Sequence, residues 1–164
     1  MGRDGSTTAS FLICRDDGRL CAFALADVIE TMRPLPAHSL QGTPAFLLGV
    51  ALIRGAMLPV ISLARLFGDA GAATGTAPIP LERRRYVTLR LGRRHIAVAV
   101  QEVLGVRPLD DETLAAMPAL LHEVGTDTIS TISVLDTELL LVLKAAHLVP
   151  EPVWLALEKD VAPA

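Results

Sequence analysis

Few residues in this chain have the type and spacing for chemistry. Cys14 and Cys21 flank Asp16-Asp17-Gly18-Arg19, and a hairpin turn there sets the two thiols opposite each other on facing strands, within reach of a disulfide. Two readings stand: a redox switch, or two reduced core cysteines in a reducing compartment, of which the second is the simpler. His38, His95, His122 and His147 are scattered, with no metal-ligand spacing among them or to the cysteines, so no metal site is expected. Asp110-Asp111-Glu112 is an acidic cluster without a second carboxylate pair nearby. It reads as a solvated loop or a helix N-terminus rather than an acid/base or Mg²⁺ site. The glycine-rich stretch from Gly68 to Gly75 resembles a phosphate loop but lacks the Lys-Ser/Thr ending. Ser6, Ser10, Ser39, Ser62, Ser130 and Ser133 lie in no nucleophile elbow. The expectation is a protein without catalytic residues and without a cofactor.

Composition points the same way. The chain has 164 residues, 51% of them hydrophobic and 20% charged, enough for one globular unit with a sizeable core. Only 4% are aromatic and the net charge is −3, which speaks against base-stacking platforms and against nucleic acid as a partner. Arg83, Arg84 and Arg85 with Arg93 and Arg94 form either a basic patch or a wet strand edge guarded against aggregation. Pro, Gly, Arg or Asp interrupts every apolar run before the roughly 18–20 residues a bilayer span needs, and the opening MGRDGSTTAS has no apolar signal region. A cytoplasmic protein without direct membrane insertion is therefore expected.

The elements that would position any site are short strands. Residues 1–9 read as a disordered N-terminal tail. Phe11–Cys14 and Leu20–Ala24 form a hairpin around the Asp-Asp-Gly turn, and Ala26–Met32 is a short helix or a strand that ends before Pro34. The apolar runs Gly49–Ile53 and Met57–Leu63 enclose Arg54-Gly55, a two-residue hairpin turn in which Gly55 supplies positive φ. Arg54 is the only Lys, Arg, Asp, Glu or His between His38 and Arg65. Ser62 caps a short helix that Gly68 stops.

A Gly/Ala/Pro-rich stretch near 68–84 then marks a boundary between two subdomains, with crossover of the terminal elements allowed. Tyr86–Leu91 and His95–Val100 form a further hairpin, Val103–Val106 a strand, and residues 109–127 a connection with a helical turn near 112–117. Ile129–Leu135 and Glu138–Leu143 form the last hairpin. Lys144–Val149 is a short helix, and 150–164 a C-terminal helix and tail whose Trp154 packs on the body. Short strands with tight turns and no long amphipathic helix give an all-β fold with short helices, arranged as two small SH3-like five-stranded barrels sharing a hydrophobic seam.

The stretch from Gly49 through Arg54-Gly55 to Pro59, Val60 and Leu63 resembles the GV-x-NLRG-x-x-x-PV-x-DL signature of CheW-like domains, scaffold proteins of bacterial chemosensory arrays. Val28-Ile29-Glu30 resembles the family's V-x-E element, and Leu35-Pro36 with Pro44-Ala45-Phe46 fits the segment before the signature. Leu91-Gly92 through Val100 to Leu104 resembles its second-half hairpin, and Leu139–Leu143 with Leu148 its closing strand and helix. The resemblance spans residues 10–149 and implies two five-stranded barrels with a common seam.

The resemblance further implies adaptor work. Its partners would be the regulatory domain of a CheA-type histidine kinase and the cytoplasmic tip of a chemoreceptor, with ring self-association of CheW-like domains also admitted, at membrane-anchored receptor arrays. The receptor's helical hairpin would lie between the barrels, against Val28, Glu30, Gly49, Arg54, Val103 and Val106. For Arg54 the plainer readings are a turn residue or an internal ion pair with Glu30. Leu52 stands where the signature has Asn, Ser62 where it has Asp, and Gln101 where Asp is frequent. These departures remove polar anchors near the turn, and polar groups set specificity more than bulk affinity. The alternatives are a barrel that binds a small molecule in its seam, and a decoy that binds receptor or kinase without bridging them.

Overall fold

Strand β7, Arg94–Val100, shows how this sequence builds its fold. Ile96, Val98 and Val100 enter one core, while Ala97 and Ala99 between them enter another. Side chains alternate faces along a strand, so a strand buried on both sides reads as an unbroken apolar run. The computed structural model describes residues 8–67, 81–109, 129–135 and 138–161. The glycine-rich stretch at 68–75, the Gly68 helix stop, the acidic cluster at 110–112 and the helical turn near 112–117 lie outside them.

In chain order the remaining strands are β1 (Ala9–Asp16), β2 (Arg19–Ala24), β3 (Val28–Met32), β4 (Leu47–Ile53), β5 (Ala56–Ser62), β6 (Arg85–Leu91), β8 (Glu102–Leu109), β9 (Ile129–Leu135) and β10 (Glu138–Leu143). The helices are α1 (Leu63–Leu66) and α2 (Glu151–Val161), with 3₁₀ turns at Leu25–Asp27, Leu81–Arg83 and Ala145–His147. Segment 26–32, which the sequence left between helix and strand, is both in turn. Ser62 caps α1 by accepting the Arg65 N–H at 3.4 Å.

The strands form two five-stranded sheets, A with order β8-β1-β2-β10-β9 and B with order β3-β6-β7-β5-β4. The division is not between sequential halves. Sheet B holds strands from both sides of the 68–84 stretch, while sheet A joins the first hairpin to the last three strands through parallel pairing of β10 with β2. Non-local pairing wins because β2 presents Leu20 and Ala22 to a core it shares with Leu140 and Val142. Neither sheet is closed: β8 and β9 are the edges of A, β3 and β4 those of B, so the barrels are open ones.

The expected seam is present. Leu12, Cys14, Cys21 and Phe23 of sheet A meet Val50, Ile61, Leu89 and Val98 of sheet B, while Phe11 and Ile13 turn into a core inside sheet A. Cys14 pairs with Cys21 across β1 and β2, as the Asp-Asp-Gly turn requires, and both thiols are free and buried in the seam. Burial pushes Cys21 up to about 12 and Cys14 higher still, which leaves almost no thiolate and supports the core reading.

Trp154 and Leu157 of α2 complete the seam. Arg94 holds that helix from the side, with two hydrogen bonds to Glu151 at 2.8 and 3.0 Å, a third to Glu158 at 2.9 Å, and its guanidinium 4.9 Å over the Trp154 ring. No described helix is long and apolar enough to cross a membrane.

Candidate functional site

The β4–β5 hairpin turns on two residues, Arg54 at φ 51° and Gly55 at φ 81°. Positive φ at both central positions matches the twist of the flanking strands. The β1–β2 hairpin uses the same device at Asp17 and Gly18, with φ 50° and 75°. Asp tolerates the left-handed region through its short polar side chain, whereas Arg has no such help, so Arg54 is held there at a conformational cost.

The side chain so placed reaches across the open mouth of sheet B to β3. Its Nε donates to Glu30 Oε1 at 3.1 Å and its Nη2 to Oε2 at 2.9 Å, a planar two-point pair. Arg54 is 76% exposed at its side chain and Glu30 27%. The hydrogen bonds from Arg54 hold the Glu30 carboxyl below its usual range and raise the guanidinium in turn.

Glu30 is aimed by its own strand. β3 slips register against β6 between Val28, which faces Leu89, and Glu30, which faces Thr88. Such a bulge re-aims a side chain, and it leaves Ile29 41% exposed. Buried Thr88 locks the irregularity, its Oγ1 accepting the Glu30 N–H at 3.2 Å and donating to the Glu30 carbonyl at 3.3 Å. The segment that follows β3 is tied to β4 in the backbone, where His38 and Val50 exchange hydrogen bonds of 2.8 and 3.0 Å.

Of the residues singled out by resemblance, Glu30 and Arg54 are in contact. Val28 and Val103 are both half-buried against the seam core, from edge strands of different sheets. Val106, on β8, is 51% exposed beside Gly105, with Leu104 also outward at a register shift against β1. Gly49 has a different task. At φ 143°, a Cβ there would stand 2.2 Å from the His38 carbonyl oxygen, so glycine is what lets the His38 segment lie across β4. Val106 belongs to sheet A, whereas the Glu30–Arg54 pair belongs to sheet B.

The sequence did not point to an exposed apolar step beside the pair. Leu52 and Met57 face each other across the hairpin, 60% and 42% exposed. The signal was the turn: with two residues at the reversal, Ile53 pairs Ala56 and the next pair out must be Leu52 with Met57. The departures at Ser62 and Gln101 have structural work. Ser62 caps α1, and Gln101 Oε1 accepts the Asp17 N–H at 3.0 Å. The suspected basic patch is divided, since Arg83 pairs Glu102 at 3.1 Å, Arg85 donates to the Glu82 and Arg84 carbonyls, and Arg94 binds α2. Among the described residues no group of three His, Cys, Asp or Glu could hold a metal ion.

Two open five-stranded β-sheets that share a hydrophobic seam, with an ion pair between one sheet's edges, define a β-rich fold of few helices. Comparison makes this specific: the family model for the CheW-like domain matches residues 10–153, and the chain belongs to that family. It is 25% identical over 144 residues to a probable chemotaxis protein CheW of Rhizobium etli, covering 82% of this chain and 89% of that one. Its fold matches the crystal structure of the scaffolding protein TtCheW from Thermoanaerobacter tengcongensis at a TM-score of 0.70 and 20% identity, over 87% of this chain and 92% of that one.

Proposed function

We propose that this chain is a non-catalytic adaptor of a chemotaxis signalling system, holding a CheA-type histidine kinase and a chemoreceptor tip in fixed geometry at membrane-anchored arrays. Family membership carries the general role. The observation that supports a docking surface is the meeting of Glu30 and Arg54, 24 residues apart in sequence, as an exposed two-point ion pair on a strained turn. Two preset charges flanked by exposed Ile29, Leu52 and Met57 offer a helix polar anchors and apolar burial together. Val28, Val103 and Val106 would extend this contact, while Gly49 supports it from behind by admitting the His38 strap.

The test is co-elution with the regulatory domain of the cognate kinase and incorporation into receptor complexes, for the wild type, Arg54→Ala and Glu30→Ala. The expected result is kinase binding by all three, with receptor incorporation lost in both variants. A wild type that binds no cognate kinase domain at micromolar concentration ends the adaptor reading. Binding of one partner without bridging makes the protein a decoy.

A further inference from the structure

The chain passes from sheet B into sheet A at a single residue, Gln101, which stands between the end of β7 and the start of β8. Two other segments meet it there, the β1–β2 turn of sheet A and the start of α1, which follows β5 of sheet B. Asp16 ties them together. Its carboxylate accepts the Ala64 N–H at 3.0 Å and the backbone N–H of Gln101 as well. Gln101 answers with its side chain, whose Oε1 accepts the Asp17 N–H at 3.0 Å. Asp16 is 7% exposed, so one buried carboxyl group joins both sheets at their crossing.

Arg19 is placed to neutralise that group and does not. The two residues flank the Asp17-Gly18 turn as a directly opposed pair, and alternation from Cys14 and Cys21 puts both on the seam side. Yet the Arg19 guanidinium lies 5.6 Å from the centre of the Phe67 ring, and its Nη1 is buried with no hydrogen-bond partner among the described residues. Phe67 closes α1, so the arginine reaches from sheet A to the sheet B side. Buried charged groups held apart have lost water without gaining each other. No other described cation is free to answer Asp16. Asp17, Cys14 and Cys21 bring no positive charge, Arg65 of α1 donates to the Ala45 carbonyl at 3.3 Å, Glu102 of β8 pairs Arg83, and Arg15 lies on the opposite face of β1.

We infer that Asp16 and Arg19 form a pH-sensitive latch across the junction: while the carboxyl is protonated Arg19 rests on Phe67 and links the sheets, and once it ionises Arg19 swings to Asp16 and releases Phe67. The proton goes to solvent, and only hydrogen bonds and the ring contact change. The arrangement with Arg19 on Phe67 is the acid form. In that form burial pushes Asp16 up to about 6 from the ordinary 3.8, which brings the change close to neutrality. The charge-assisted pair formed afterwards favours the ionised state and draws the midpoint somewhat lower. Ionisation thus exchanges a contact between the sheets for one within sheet A. The latch belongs to the fold and does not rest on the adaptor reading.

The experiment follows the full chain by NMR from about pH 4.5 to about pH 8, reading the Asp16 carboxyl carbon, the Ala64 and Gln101 amides and the Phe67 ring protons, which sense a guanidinium above the ring. In the wild type all four are expected to move with one midpoint. Asp16→Asn fixes the neutral form, so Ala64 and Phe67 should keep their acid-form positions throughout. In Arg19→Gln the Asp16 midpoint should rise by about one pH unit or more, since the counter-charge is gone, and the Phe67 ring should no longer follow it. Arg93→Gln, in the turn at the far end of β7, should leave the midpoint where it is. Phe67 signals that stay still while Asp16 titrates overturn the latch, because Arg19 has then not moved. So does an Arg19→Gln midpoint equal to that of wild type, or a Phe67 ring that still follows Asp16 in that variant. The wild-type Phe67 signal needs no substitution, so the test decides even if Arg19→Gln does not fold.

Discussion

Glu30 and Arg54 join the two open edges of sheet B: one sits on β3, the other on the turn that ends β4, and no hydrogen-bonded ladder connects those strands. His38, in the segment between β3 and β4, is bridged by its backbone to Val50 of β4. The pair is therefore both a clasp of the fold and a preset surface feature, and these roles separate by experiment. Exposed ion pairs contribute little to folding, so Glu30→Ala, Arg54→Ala and the double variant should each keep the melting temperature within about 2 °C of wild type. Receptor incorporation should fall in both single variants and no further in the double one, as a shared contact requires. A large loss of stability in either single variant would make the pair a structural clasp only.

Gly49 and Gly55 are predicted to fail differently. At Gly49 an added Cβ meets the His38 carbonyl at 2.2 Å with φ at 143°, so Gly49→Ala must displace the His38 strap and should cost more than about 2 kcal/mol. At Gly55 nothing lies within 4 Å of the added atom and only the left-handed φ of 81° is strained, a cost of about 1–2 kcal/mol. Urea unfolding of the two variants gives the order, and the reverse order would contradict the strap.

Much of this fold was legible because its strands are short and their turns distinctive. Asp17-Gly18 and Arg54-Gly55 announced their hairpins, and the Cys14–Cys21 pairing followed from the first of them. The interleaving of the sheets was not legible. Leu20, Ala22, Leu140 and Val142 are apolar residues of no special type, and hydrophobic pattern shows that a face is buried without naming the strand it is buried against. At the site, Arg54 stood out as a lone charge in an apolar run. Leu52 and Met57 did not, since an exposed leucine and a buried one look alike until register is known.

Asp16 carries the pH dependence. Its carboxylate is buried at the tip of β1, accepts the Ala64 N–H of α1 at 3.0 Å, and is pushed up by burial to about 6 from the ordinary 3.8. A folded-state value above the unfolded one means that the native protein binds the extra proton between those pH values. Stability from this group is thus full below about pH 4 and lost as pH rises through about 6, a difference on the order of 2–3 kcal/mol. Asp16→Asn keeps an acceptor for Ala64 and removes the charge. It should be more stable than wild type at pH 7.5, with the advantage vanishing near pH 4. Denaturant titrations at the two pH values decide it, and an advantage of equal size at both would rule out the charge as its cause.

The cysteines should be inert while the protein is folded. Cys14 and Cys21 are 0% and 1% exposed, and burial holds both as thiols. Iodoacetamide should therefore modify them only when the seam opens, at a rate set by unfolding. Raising pH from 7 to 9 in native buffer should speed labelling far less than it does for the same chain in urea. Fast native-state labelling would reopen the redox reading.

Helix α2 should be an integral part of the seam. Trp154 is 8% exposed, yet it belongs to a helix that follows every strand and is linked to β10 by only a 3₁₀ turn and Pro150. Truncation to Ala removes a large ring from the shared core and takes away the surface under Arg94, so a loss of roughly 3–5 kcal/mol is expected. Arg94→Ala leaves the ring in place and removes the guanidinium over it together with two exposed ion-pair partners, and its effect should be smaller and salt-dependent. Trp154 fluorescence separates the two cases: in Arg94→Ala it should stay buried and unfold together with the sheets, as one cooperative transition. An early fluorescence transition in wild type, ahead of the loss of β-sheet circular dichroism, would instead show that α2 rests on the seam without completing it.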